Sequence, residues 1–112
     1  MSSLSIIVPL YNKEAQIQNT LKSIYEKCNE LNLTYEIIII ENQSSDSSLV
    51  RAEDWVLKNS TNAVLYKTEK GLGNAIKLGV LKSRYEYITI IPADYTFGES
   101  ELEYFKQNNF NL

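Results

Sequence analysis

Apolar residues in this chain follow two rhythms. Three short runs, over residues 5–10, 35–40 and 87–91, are rich in β-branched side chains, and each breaks off into polar residues. Such a run reads as a strand buried on both faces, because strict alternation appears only when one face meets water. Strands are therefore predicted over residues 5–9, 35–40 and 87–91, with a further one over 63–68. Between the first two, Ile17, Leu21, Ile24, Tyr25, Cys28 and Leu31 recur at spacings of three and four. That spacing makes one apolar helical face, and Asn12 is its expected N-cap. Further helices are expected over residues 47–58 and 75–83. A fourth is expected to begin over residues 100–105, with 107–112 frayed. The order β-α-β-α-β-α-β predicts one α/β domain over residues 1–112: an open, mainly parallel sheet, helices on both faces and right-handed crossovers.

Composition narrows the chemistry. At 112 residues, 44% of them hydrophobic, the chain can build one core of this kind. Its net charge of -3 is scattered and gives no electrostatic case for nucleic-acid binding. The absence of His excludes imidazole acid–base chemistry and His metal sites. A lone Cys28 excludes an internal disulfide framework and fits a reducing compartment. No apolar run approaches a membrane span, and Met1-Ser2-Ser3 lacks the basic flank of a signal peptide. The expected location is cytoplasmic, either in solution or at the cytoplasmic face of a membrane.

In an open parallel sheet, ligands bind just beyond the carboxyl ends of the strands. Polar clusters that lie far apart in sequence would therefore meet in one crevice. The first is Pro9-Leu10-Tyr11-Asn12-Lys13-Glu14. Pro9 suits a strand end, Tyr11 offers a flat ring, and the Asn12 amide can bond a base or a neighbouring loop. The same residues also read as a strand stop followed by a cap. The second runs from Glu41 to Asp46. Glu41 can accept from a nucleobase imide or a ribose hydroxyl, while Ser44 and Asp46 serve both a turn and the site. The third is Lys70-Gly71-Leu72-Gly73-Asn74-Ala75-Ile76-Lys77, a glycine loop running into a helix start. Such a start admits a diphosphate but also serves as an ordinary strand-to-helix turn. The fourth is Pro92-Ala93-Asp94, where a carboxylate past a buried strand can bind a hard divalent cation or simply meet solvent.

The order and spacing of all four clusters resemble the N-terminal half of the family 2 glycosyltransferases, over residues 4–97. Members of that family typically carry a Pro-x-Tyr-Asn-x-Glu strand end, an acidic Ser-rich turn, a Gly-rich loop and an Asp-x-Asp strand end. The resemblance implies a Rossmann-like GT-A fold with strand order 3-2-1-4. It implies binding of a nucleoside-diphosphate sugar, a UDP-sugar favoured, with Mg or Mn as cofactor. It places Pro9, Tyr11 and Glu14 at the base and ribose, and Glu41 at the base where the family usually has Asp. Lys70, Asn74 and Lys77 fall near the diphosphate, and Ala93 and Asp94 near the ribose and the metal.

Two departures accompany the resemblance. Pro92 replaces the first acid of Asp-x-Asp, leaving Asp94 as the sole implied metal ligand. The family's acceptor half, which carries the catalytic base of inverting members, has no counterpart in the chain. The expectation is thus a donor-binding half of a glycosyltransferase with an unknown sugar, lipid or protein acceptor. The alternative is a module that binds nucleotide sugar without turnover. In the order 3-2-1-4 the fourth strand lies at an edge with no Lys or internal Pro to deter pairing, so self-association through it is also expected.

Overall fold

The computed structural model describes residues 3–59, 61–94, 102, 103, 106 and 107. Its four strands are β1 (Ser3–Leu10), β2 (Thr34–Glu41), β3 (Ala63–Lys67) and β4 (Tyr87–Ile90). All pair in parallel, in the order β3-β2-β1-β4, which is the sheet expected. Three helices, α1 (Ile17–Glu30), α2 (Ser48–Lys58) and α3 (Leu72–Lys82), form the crossovers.

Alternate side chains of each strand face opposite layers. Leu4, Ile6, Val8 and Leu10 of β1, with Tyr35, Ile37 and Ile39 of β2, meet Ile17, Leu21, Ile24 and Cys28 of α1 and Ala52 and Trp55 of α2. The opposite side chains, Ile7, Ile38 and Ile40, pack with Ala75 of α3. Each fully buried Ile or Leu contributes about 1.5–3 kcal/mol, so two apolar layers explain why β1 and β2 carry unbroken runs. Helix α3 lies close on the sheet: a Cβ built on Gly79 would stand 2.6 Å from Ile7 Cγ2. Burial in the α1 layer pushes the Cys28 thiol up to about 12, so it is a structural side chain and not a nucleophile.

Register decides where the site forms. Leu10 pairs with Glu41, so β1 and β2 end level and their polar loops leave side by side. Ile7 pairs with Ile90, which carries Pro92, Ala93 and Asp94 alongside the end of β1.

Three expectations are corrected. Asn12 does not cap α1: the helix starts at Ile17 behind a turn, its N-cap position is Gln16, and Asn12 sits at φ 49 with its side chain used elsewhere. Helix α3 begins at Leu72, three residues before the expected start, because Gly71 at φ 118 makes the turn in a single residue. Strand β4 is not buried on both faces. Ile88 and Ile90 are each 40% exposed, since β4 is the outer strand and α3 packs over β1 and β2.

Of the expected fourth helix, Leu102 and Glu103 are helical. Leu102 joins the α1 layer, and Glu103 meets Lys27 at 2.8 Å. Lys106 and Gln107 are helical too, so the fraying expected over 107–112 does not begin at 107, and the other residues of 100–112 lie outside the described residues. No helix among the described residues is long and apolar enough to cross a membrane.

Candidate functional site

The loops after β1 and β2 are stitched together by side chains acting on backbone amides. Asn12 N donates to Ser44 Oγ at 2.9 Å, Lys13 N to Ser48 Oγ at 2.8 Å, and Glu14 N to Asp46 Oδ2 at 3.3 Å. In return, Ser45 N donates to Asn12 Oδ1 at 2.8 Å. Asn and Ser are at home here because their short side chains mimic backbone partners. Partial burial pushes the Asp46 carboxyl up, but hydrogen bonds from Ser48 and the Glu14 amide outweigh it and hold it below the ordinary aspartate range. Glu41 is buried and accepts from Gln43 N at 3.0 Å and Ser44 N at 2.8 Å. With Gln43 at φ 59, that carboxylate shapes the turn.

A pocket of about 600 Å³ opens beyond the strand ends. Pro9, Leu10 and Tyr11 come from the end of β1, and Asn42 from the end of β2. Lys70, Gly71, Leu72 and Ile76 come from the start of α3, and Ile90, Pro92, Ala93 and Asp94 from β4 and its loop. Lys13 also lines it and meets Asp94 at 3.5 Å. Lys70 Nζ lies 5.7 Å from the centre of the Tyr11 ring. Asn42 is 6% exposed, and its Oδ1 is buried without a hydrogen-bond partner. A buried polar atom left unpaired costs about 1–3 kcal/mol.

Of the residues singled out from sequence, Pro9, Tyr11, Lys70, Gly71, Ala93 and Asp94 line this pocket. Asn12, Ser44 and Asp46 sit in the loop stitch behind it, and Glu41 beneath the turn. The backbone of Glu14 is held in the stitch, its carbonyl accepting from Arg51 Nη1 at 2.7 Å. Asn74 and Lys77 lie on exposed turns of α3, and Asn74 Nδ2 donates to Lys70 O at 2.9 Å. Asn42 and Lys13 line the pocket although sequence reasoning did not single them out. Their signal was their place inside two polar clusters, but only register tells which cluster members border the pocket.

Among the described residues lining the pocket, Asp94 is the one carboxylate. No group of three His, Cys, Asp or Glu that could hold a metal ion occurs among the described residues. Protein sites for Mg or Mn use one or two carboxylates with phosphates and water. Here the single carboxylate already faces an ammonium and the position two residues earlier is Pro92. These residues do not make a fitted metal site.

A second pocket of about 300 Å³ lies by the start of β2, lined in part by Glu36, Tyr66, Lys82 and Arg84. Its buried carboxylate, Glu36, is already bonded to Ser5 and Arg84.

The family described as Glycosyl transferase family 2 matches residues 5–107, and the chain belongs to it. It is 36% identical over 99 residues to the dolichyl-phosphate beta-glucosyltransferase of Dictyostelium discoideum, an alignment covering 81% of this chain and 30% of that protein. It is 29% identical over 93 residues to the undecaprenyl-phosphate 4-deoxy-4-formamido-L-arabinose transferase of Pseudomonas fluorescens, covering 81% and 27%. Among solved structures, S. aureus TarS in complex with UDP superposes with a TM-score of 0.76 at 20% identity, over 99% of this chain and 32% of that one. The mannosyltransferase PcManGT from Pyrobaculum calidifontis, in complex with GDP-Man and Mn2+, gives 0.74 at 23% identity, over 88% and 30%. The fold is thus that of these glycosyltransferases, and the chain spans under a third of the length of each of these four proteins.

Proposed function

We propose that the chain binds the nucleoside-diphosphate part of a nucleotide sugar in the pocket beyond β1, β2 and β4, as the donor side of a glycosyl transfer. The observation that carries this reading is the buried, unpartnered carboxamide oxygen of Asn42 among the pocket-lining residues. Turned toward the ligand, that acceptor suits a base with a ring N–H at its pairing edge, which uracil and guanine have and adenine lacks. UDP is the first candidate. Glu41, by pinning the amides of Gln43 and Ser44, sets the turn that presents Asn42.

The remaining lining residues fit the same ligand. The Tyr11 ring offers a face to the nucleoside. Lys70, with the first amides of α3 behind Gly71, offers positive charge to the diphosphate. In glycosyl transfer the bond from the sugar's anomeric carbon to the phosphate oxygen breaks as the acceptor oxygen bonds to that carbon. Charge gathers on the departing diphosphate, where fixed positive groups lower the barrier. Removal of the acceptor proton is assigned to no residue here, because Asp94 is occupied by Lys13.

Calorimetry with UDP, GDP and ADP tests the reading. UDP and GDP are expected to bind more tightly than ADP, and Asn42→Ala to weaken UDP by about tenfold. Equal weak binding of all three nucleotides, or unchanged UDP binding in Asn42→Ala, contradicts it.

A further inference from the structure

We propose that Lys13 is a built-in counter-ion of this site, making nucleoside-diphosphate binding independent of a divalent cation. The inference rests on the nucleotide reading above and concerns how the site meets the ligand's charge. Among the described residues Asp94 is the one carboxylate in the pocket wall, and Lys13 Nζ lies 3.5 Å from its Oδ2.

Both ends of this ion pair stand on anchored backbone. Lys13 N donates to Ser48 Oγ at 2.8 Å, and Lys13 O accepts from Ile17 N at 2.9 Å. On the other side, Ala93 O accepts a buried hydrogen bond from Thr20 Oγ1 at 2.7 Å. The ammonium is therefore delivered from a fixed point on the β1 loop to a fixed point past β4. Pro92 stands two residues before Asp94, where a second carboxylate could otherwise have supported a divalent ion.

The charges agree with this role. A bare Asp94 would repel a diphosphate, whereas the Lys13–Asp94 pair is neutral and leaves Lys70 as the net positive charge in the wall. An ammonium has three donors and no acceptor. Lys13 can thus hold Asp94 with one N–H and offer the others to phosphate oxygens. Both side chains remain partly open, at 40% and 48% exposure, so the ligand can reach them.

The test is calorimetry of UDP with the 112-residue chain in EDTA and in Mn2+, for the wild type, Lys13→Met and Asp94→Asn. Wild-type affinity is expected to change by less than about threefold between the two conditions. Lys13→Met is expected to lose about tenfold in EDTA and to recover in Mn2+, because Asp94 is then free to take the ion. Electron paramagnetic resonance should show Mn2+ held more tightly by Lys13→Met with UDP than by the wild type. Asp94→Asn should abolish that recovery when added to Lys13→Met. The Lys13 side chain is at the surface and its backbone bonds survive the substitution, so the fold is retained. A wild type that binds UDP only with Mn2+, or a Lys13→Met that binds UDP in EDTA as well as the wild type, overturns the proposal. No UDP binding in either condition overturns the nucleotide reading, and this inference with it.

Discussion

The carboxylate of Glu36 accepts from Ser5 Oγ at 2.6 Å, from Arg84 N at 2.7 Å and from Arg84 Nε at 2.9 Å. Burial alone would raise its pKa; the three donors outweigh that and hold it below the ordinary glutamate range. A carboxyl depressed in the folded state stabilises the fold above its unfolded pKa and loses that contribution as pH falls through the folded value. Stability should therefore decline from about pH 4.3 downward. Glu36→Gln should flatten this acid limb in urea titrations and cost about 1–2 kcal/mol at neutral pH, the low end for charged hydrogen bonds because Arg84 is largely exposed. An acid limb as steep as the wild type's would show that other carboxylates dominate it. At this scale the sequence is a partial guide. Tyr11 and Lys70 look like ligand residues and line the pocket. Glu41, expected at the base, holds two loop amides with its carboxylate, and Asn42 beside it lines the pocket. Adjacent side chains at a strand end point opposite ways, and which one faces the crevice depends on where the strand stops.

Helix α3 shows how an element's position can hang on its glycines. Gly71 supplies the positive φ from which the helix starts, and Gly79 lets it lie against Ile7. Replacing Gly79 by Ala would gain about 1 kcal/mol of helix propensity. The added Cβ, however, would meet three Ile7 side-chain atoms at 2.6–3.0 Å, and Ile7 is fully buried and cannot swing away. Overpacking costs about 1–3 kcal/mol, so the clash should win and the melting temperature should fall. A higher melting temperature in Gly79→Ala would mean that α3 sits farther from the sheet. Periodicity places the apolar face of α1 well, because it repeats over several turns. Helix α3 starts three residues before the expected position, since Gly71-Leu72-Gly73-Asn74 has loop composition although its helix already begins behind Gly71. The run in β4 resembles those in β1 and β2, and its exposed Ile88 and Ile90 follow from an edge position that no local pattern encodes.

For the whole molecule, parallel register is what turns four scattered clusters into one wall. Leu10 and Glu41 end level, Ile7 pairs with Ile90, and Gly71 brings α3 over the same end of the sheet. Alternation of strands and helices made the layered α/β class legible from the chain itself. The strand order 3-2-1-4 came through the likeness to a family, because spacing alone does not order a sheet. A nucleoside diphosphate is expected to occupy this wall and not the second pocket beside Glu36 and Arg84. The most direct measurement is the change in backbone amide chemical shifts when UDP is added to the chain labelled with nitrogen-15. Shifts should concentrate at Leu10 to Lys13, Asn42, Lys70 to Leu72, and Ala93 and Asp94. Shifts centred on Glu36, Asn62 and Arg84, or none at millimolar UDP, would contradict it.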